Sequence, residues 1–268
     1  MGGAEPESAE VDRLPGWVTL LLAPNPGPMT LDGTNTWLLR APGSPRATVI
    51  DPGPLDEGHL RRIAGHDGIE RILITHGHHD HVEGAARLSE LLGGVPVRAG
   101  SPVHCLGDEP FVPGESLDGN GLEIRVLETP GHTSDSVSFV VECGNERAMF
   151  TGDTMLGRGT TVVAPPDGDL GDYLRSLELL SAYPQIVMLP GHGPARSDTA
   201  ERARFYLGHR RQRLAQVATA MAAGAETPAA VVDLVYPDLD PALRFAAEWS
   251  AAAQIEYLRP ENNQEKKP

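Results

Sequence analysis

The chain is predicted to fold as one mixed αβ domain with a smaller helical appendage. Three observations predict it. Short β-type runs, separated by turns rich in proline and glycine, recur through the first two-thirds of the sequence. Several of them end in glycine-flanked loops that carry histidine or aspartate. From Thr199 onward the texture changes to helix-rich sequence with little strand character. A length of 268 residues is enough to bury a full core, and 40% hydrophobic with 22% charged residues is the balance of an ordinary globular protein.

Residues 1–14, acidic and rich in small side chains, are expected to be disordered. Strands follow at Trp17 to Leu22, Asn35 to Arg40 and Ala47 to Ile50, the third closed by Asp51, Pro52, Gly53 and Pro54. Leu55 to Ala64 reads as a helix. Arg71 to Thr75 is a short apolar strand that runs directly into a histidine cluster, and Gly84 to Leu92 is the helix that follows. That strand–loop–helix order presents side chains at the C-terminal edge of a sheet. Val95 to Ala99, Leu122 to Glu128, Ser136 to Val141, Ala148 to Thr151 and Ile186 to Leu189 read as further strands. Asp169 to Ala182 has the helical spacing Leu170, Leu174, Leu177, Leu180. The appendage spans residues 199–259, with helices at Thr199 to Ala223, Pro228 to Tyr236 and Pro241 to Ala252 and a short strand at Ile255 to Leu258. Residues 260–268 are expected to be disordered, leaving 15–198 as the main domain.

Composition narrows the function classes. No run of about 18 apolar residues is present, so no membrane span is expected. The first residues lack the basic flank and apolar core of a signal peptide, and Pro6 stands where a myristoylation signal needs serine or threonine, so a cytoplasmic address is expected. The two cysteines, Cys105 and Cys143, cannot make a disulfide framework and read as small apolar residues. A net charge of −15 works against non-specific attraction to nucleic acid or anionic membrane, although a local cationic site can dominate its surroundings.

The chemistry concentrates at His76, Gly77, His78, His79, Asp80 and His81. In an extended segment His76 and His78 point the same way, Asp80 continues the alternation, and His81 begins the turn into the next helix. Imidazolium groups this close repel one another unless a metal holds them. Histidine nitrogen with carboxylate oxygen is a donor set suited to zinc. Three later loops each offer one further ligand beside a glycine: His132, Asp153 and His192.

This ordered pattern, His-x-His-x-Asp-His followed by Gly-His, Gly-Asp-Thr and Gly-His, resembles the metallo-β-lactamase superfamily. The resemblance implies an α+β fold, the four-layer αββα sandwich, with metals at one edge of its two sheets. It implies two zinc ions per chain: one held by His76, His78 and His132, a second by Asp80, His81 and His192, with Asp153 bridging them. The departures are as informative as the matches. β-Lactamases of this fold typically use a cysteine at the second site and no bridging aspartate, and neither cysteine here lies in a ligand loop. Flavin-linked di-iron members carry glutamate where this chain has His78. The RNA-processing branch with a large inserted domain needs more than the 38 residues between Asp153 and His192. The segment from Asn25 to Trp37, and the Gly-His-Gly-Pro run from Gly191 followed by a winged-helix-like helical C-terminal unit, resemble the family of β-lactamase-like protein 2. That family is related to glyoxalase II and includes RNA-cleaving members.

From the resemblance the expected activity is hydrolysis of a small ester or thioester by a hydroxide bridging the two zinc ions, with Asp80 and Asp153 as catalytic carboxylates. The alternative is a zinc-dependent endoribonuclease acting on single-stranded RNA. Its local support is Arg202, Arg204, Arg210, Arg211 and Arg213, which do not form one stripe on a helix; some of them are expected to pair with acidic residues. The partner is thus a small-molecule substrate, or RNA in the alternative. Thr34, Asn35, Arg158, Thr160 and Tyr173, with Thr161, are candidates to line the substrate cleft. His79 reads as a surface or supporting residue, and His59, His66, His104 and His209 as surface or loop histidines.

Overall fold

The period-2 alternation of the strands builds the architecture. The computed structural model describes residues 8–259. One sheet contains β1 (Val18–Leu22), β2 (Asn35–Leu39), β3 (Ala47–Ile50), β4 (Ile69–Leu73) and β5 (Val97–Arg98) in sequence order. The other runs β10 (Val187–Pro190), β9 (Glu146–Gly152), β8 (Val137–Cys143), β7 (Leu122–Glu128), β6 (Ser116–Gly119). Along β2, Trp37 and Leu39 enter the core between the sheets while Leu38 faces the opposite way. On β9, Ala148 and Phe150 point inward and Met149 outward. Phe150 sits edge-on to Trp37, with ring centres 5.9 Å apart.

The outer faces are covered by helices, giving four layers. Leu60 and Ile63 of α1 (Glu57–Ala64) and Leu88 of α3 (Ala85–Leu91) pack on the first sheet. Between these two helices lies the single turn α2 (His79–Val82). On the second sheet pack Tyr173, Leu177 and Leu180 of α4 (Leu170–Leu180) and Ala203 and Tyr206 of α5 (Thr199–Ala222). The far end of α5 joins α6 (Pro228–Val235) and α7 (Arg244–Leu258) around Val217, Val231, Val232 and Ile255, so a C-terminal helical unit is present. Asp56, Asp169, Asp198 and Thr227 cap α1, α4, α5 and α6, each side chain accepting a first-turn backbone N–H.

Three local expectations are corrected. Ile255 to Leu258 continues α7 as helix: Ile255 and Leu258, three apart, lie on one helical face and both pack in the C-terminal core. The short polar strand β6 was not expected; it pairs antiparallel with β7 through four residues. Residues 8–14, expected to be disordered, lie against the body: Glu10 bridges to Arg196, the Ser197 N–H donates to the Ala9 carbonyl, and the buried Arg196 guanidinium donates to that of Ser8. Residues 1–7 and 260–268 lie outside the described residues. No helix among the described residues is long and apolar enough to cross a membrane. Cys105 and Cys143 are half-buried free thiols at the margins of two core clusters.

Candidate metal centre

All the ligand-type side chains converge where the two sheets meet at one edge. His76 follows β4, His132 follows β7, Asp153 follows β9 and His192 follows β10, while Asp80 and His81 lie on α2. Backbone bonds sew the edge together: the Asn35 N–H donates to the Gly191 carbonyl and the Gly191 N–H to that of Gly152, both at 2.8 Å. Gly191 is required by close approach. A Cβ there would stand 2.4 Å from Asp153 Oδ1 and 2.7 Å from His81 Cε1.

Three groups of donor atoms lie within metal-binding reach of one another: His76, His78 and His132; Asp80, His81 and His192; and His76, His81 and Asp153, which joins the first two. The seven residues singled out from the sequence are therefore brought together.

The outer nitrogens show what the inner ones are for. His132 Nδ1 lies 2.8 Å from the Val162 carbonyl and His192 Nδ1 lies 3.0 Å from that of Gly33, so both must carry a proton there. His81 Nδ1 donates to Asp51 Oδ2 at 2.8 Å. Thr75 Oγ1 donates to the same oxygen at 2.7 Å, which leaves its lone pair to accept from His76 Nδ1 at 3.0 Å. With four Nδ1 protons so committed, four Nε2 lone pairs face inward. They stand close to other acceptors: His81 Nε2 is 3.2 Å from His192 Nε2, and His76 and His132 Nε2 lie 3.1 and 3.0 Å from His78 Nδ1. Asp153 Oδ1 is buried and makes no hydrogen bond. Inward lone pairs and an orphaned carboxylate oxygen need positive charge between them, so the donor set fits divalent metal ions.

The same need appears in the proton equilibria. Burial, reinforced by the neighbouring imidazoles, pushes His76 well below the ordinary histidine value. His132 falls to about 4, driven by burial and only partly offset by Asp153. On the other side burial opposes charge on His192, yet Asp153 and Asp80 outweigh it and raise the imidazole to about 11. Burial likewise works to raise Asp153, but His192 and His81 hold it at about 2. In the absence of metal, protons gather beside the carboxylates, where a cation would sit.

The residues expected to line a cleft divide. Arg158 and Thr160 line a cavity of about 370 Å³ that reaches His132 and Asp153, as does Thr161. Thr34 is corrected to a supporting role: fully buried, it donates to Asp80 Oδ2 at 3.0 Å and accepts from Asn25 Nδ2 at 2.9 Å. Asn35 also faces away from substrate, because its buried amide donates to the carbonyls of Pro190 and Gly193 and fixes the loop bearing His192. Tyr173 is a core residue whose hydroxyl donates to the Thr154 carbonyl at 2.7 Å. The sequence reading missed Asp51, Thr75 and Asn25. Asp51 directly follows β3, which pairs with the strand leading to His76, and that adjacency was the available signal.

The arginines of α5 are used mostly inside the protein. Arg202 is buried and donates to the carbonyls of Leu156 and Gly159; Arg210 is buried and donates to that of Thr161. Of the five, Arg211 shows the expected acidic pairing, 3.5 Å from Glu178. Arg202 and Arg210 thus tie the helical unit to the loop that supplies the Val162 carbonyl behind His132.

His79 is exposed, whereas His59 is buried, contrary to its expected surface position. His59 Nδ1 accepts from the Arg62 guanidinium at 2.8 Å and Nε2 lies 2.9 Å from Thr36 Oγ1. Burial, with the Arg62 charge, lowers His59 to about 4. Its folded-state value is below the unfolded one, so the unfolded chain binds the proton first. The contribution is intact above about pH 6.5 and is lost as pH falls toward 4. Between pH 7 and 4.5, wild type is expected to lose more melting temperature than His59→Gln at equal metal loading; equal losses would refute the assignment.

An αββα sandwich carrying this histidine–aspartate cluster at one sheet edge defines the class of metal-dependent hydrolases that share the architecture. The family model for the metallo-β-lactamase superfamily matches residues 29–192. A protein of Caenorhabditis elegans named as a β-lactamase-like protein 2 homologue is 33% identical over 249 residues, covering 88% of this chain and 82% of its own. An atrochrysone carboxyl ACP thioesterase of Passalora fulva is 33% identical over 223 residues, 81% of this chain and 65% of its own length. A crystal structure of a β-lactamase domain protein from Burkholderia ambifaria superposes with a TM-score of 0.78 at 23% identity, covering 96% of this chain and 89% of that one. The chain belongs to the metallo-β-lactamase superfamily.

Proposed function

We propose that this chain is a binuclear zinc hydrolase that cleaves a small thioester or ester. The observation that carries this reading is the cavity of about 370 Å³ that opens on His132 and Asp153. Its size suits one small molecule, and its walls mix apolar side chains with a few polar ones. Bound divalent ions there supply a nucleophile from water near neutral pH and polarise the oxygen on which charge develops. The chain's own residues hold the geometry: Asp51, Thr75 and the Val162 and Gly33 carbonyls orient the imidazoles, and Thr34 orients Asp80. Asp80 and Asp153 are the carboxylates placed to accept or steer a proton at the reacting centre. No carboxyl group other than Asp153 lines the cavity among the described residues. A thiolate leaves without a general acid, which favours the thioester, and the thioesterase name of one relative points the same way. The burial of Arg202 and Arg210 removes two of the five cations that an RNA-binding surface on α5 would use.

Zinc-loaded protein is expected to turn over members of a panel of acyl thioesters, to lose that activity with chelator and regain it with zinc, and to hold close to two ions per chain by elemental analysis. Cleavage of labelled single-stranded RNA at low salt, with every thioester left intact, would overturn the proposal in favour of the nuclease.

A further inference from the structure

The cavity beside the cluster has a charge opposite to that of the chain. The protein carries −15, yet among the described residues Asp153 is the only acidic one on the wall, against the cations Arg158, Arg210 and Arg213, with the neutral His209 beside them. Two of these cations are committed. Arg158 makes a two-point pair with Asp32 at 2.5 and 2.9 Å, and Arg210 is buried against Tyr173 with one amino group on the Thr161 carbonyl. Arg213 is different. Its guanidinium lies over the Tyr236 ring, 4.6 Å from the centre, and its hydrogen bonds go to neutral groups, Gln216 Oε1 at 2.9 Å and His209 Nε2 at 3.4 Å. Since His209 accepts through Nε2, its proton sits on Nδ1, and that atom is buried without a partner. Arg210 Nε is likewise buried and unpartnered. Leaving such donors unpaired is costly, and the two sit on consecutive positions of α5, His209 and Arg210, one turn before Arg213, all three lining one cavity. Around them the wall is apolar: Leu239, Leu243, Ala246 and Ala247 from the helical unit, Leu156 and Val162 from the sandwich.

We propose that the substrate carries an anionic group, a carboxylate or phosphate, separated by an apolar segment from the bond that is cut, and that Arg213 with His209 holds that anion. This rests on the hydrolytic reading above and adds the substrate class to it. A guanidinium stacked on an aromatic ring keeps its N–H edge free for two-point binding of an oxyanion. In a partly enclosed cavity that contact is stronger than on an open surface. The apolar wall then carries the segment between the anion and the reacting carbonyl at the His132–Asp153 end. The anion can belong to the acyl part or to the thiol part, and the two sources are separable by experiment.

Four thioesters serve as probes, in two pairs: the suberoyl and octanoyl thioesters of N-acetylcysteamine, and the octanoyl thioester of pantetheine 4′-phosphate set against that of pantetheine. Zinc-loaded wild type is expected to prefer one anionic member over its neutral counterpart by at least about tenfold in kcat/KM. Arg213→Gln is expected to reduce that preference by at least about tenfold, mainly through KM, and Arg213→Lys to recover part of it. Arg211→Gln, on the same helix but paired with Glu178, should keep the preference and so controls for loss of net charge. Absence of preference in both arms, or a preference that survives Arg213→Gln, overturns the proposal. Direct binding keeps this separate from the chemistry: calorimetry with suberate, octanoate and octyl phosphate should show a Kd at least about tenfold weaker in Arg213→Gln for a doubly anionic or phosphate ligand. Arg213-dependent binding without thioester turnover would sink the hydrolytic reading and leave the anion site standing. Turnover that ignores the anion would do the reverse.

Discussion

Asp153→Ala is expected to give a folded protein that holds at most one metal ion per chain and hydrolyses its substrate at least about 10³-fold more slowly, an effect of roughly 4 kcal/mol on the barrier. The carboxylate faces both halves of the cluster. Oδ1 lies 3.5 Å from His81 Nε2, and Oδ2 lies 3.3 Å from His192 Nε2 and 3.9 Å from His132 Nε2. Neither alanine nor a neighbouring residue can span that gap. The fold should survive, because Oδ1 makes no hydrogen bond and no backbone donor depends on it. Removing a buried carboxylate in the metal-free state also removes a charge whose burial is unfavourable on its own. The discriminating measurements are metal content by elemental analysis, the melting temperature of the metal-free form, and turnover. Two ions retained with less than a tenfold loss of activity would show that Asp153 is no bridge.

How much of this was legible depends on whether the information is local. The His76 to His81 run declares itself because its ligand atoms are set by spacing along one strand–loop–helix unit, and the later Gly-His and Gly-Asp loops repeat the same device. The strands of the sandwich declare themselves by alternation. What stays hidden is contact between segments. Asn35 looks like a lining residue in sequence, but its amide is consumed by carbonyls of a loop 155 residues away. Tyr173 is three residues after Leu170 and four before Leu177, so helical phase already placed it on the buried face of α4. Its nearness in sequence to the Asp153 loop points toward the cleft instead, and helical phase overrides it. The short strand expected at Ile255 failed for the opposite reason: four apolar-rich residues are compatible with either period, and the helix already running from Arg244 decided it. Arg213 and His209, four apart on α5, share a helix face and pair locally; what stays hidden is the Tyr236 ring that the end of α6 places under the guanidinium.

Asp51 is the clearest case of a functional residue that sequence reading passed over, and Asp51→Asn isolates its chemistry. The residue has φ 52°, in the left-handed region that asparagine tolerates well, so the backbone should not change. Asp51 Oδ1 accepts the Thr75 backbone N–H at 2.8 Å, while Oδ2 accepts both the Thr75 hydroxyl and His81 Nδ1. Asparagine has one carbonyl oxygen and one NH2. If the oxygen stays on the fixed backbone donor, the NH2 faces Thr75 Oγ1 and His81 Nδ1, and both must turn from donor to acceptor. The His81 proton then moves to Nε2. The Thr75 hydroxyl turns to His76 Nδ1, which forces the His76 proton to Nε2 as well. Two of the four inward lone pairs are lost through one exchange of oxygen for NH2. The opposite orientation sets two backbone and amide donors against each other in a buried site, which costs stability instead. Supporting partners of metal-bound histidines are typically worth 10- to 100-fold in affinity or activity. With two ligands affected, metal affinity is expected to fall by at least about 10²-fold in chelator competition, with activity partly restored by excess zinc. A variant that keeps wild-type affinity would mean that Asp51 only ties β3 to β4, and that the ligand tautomers are set elsewhere.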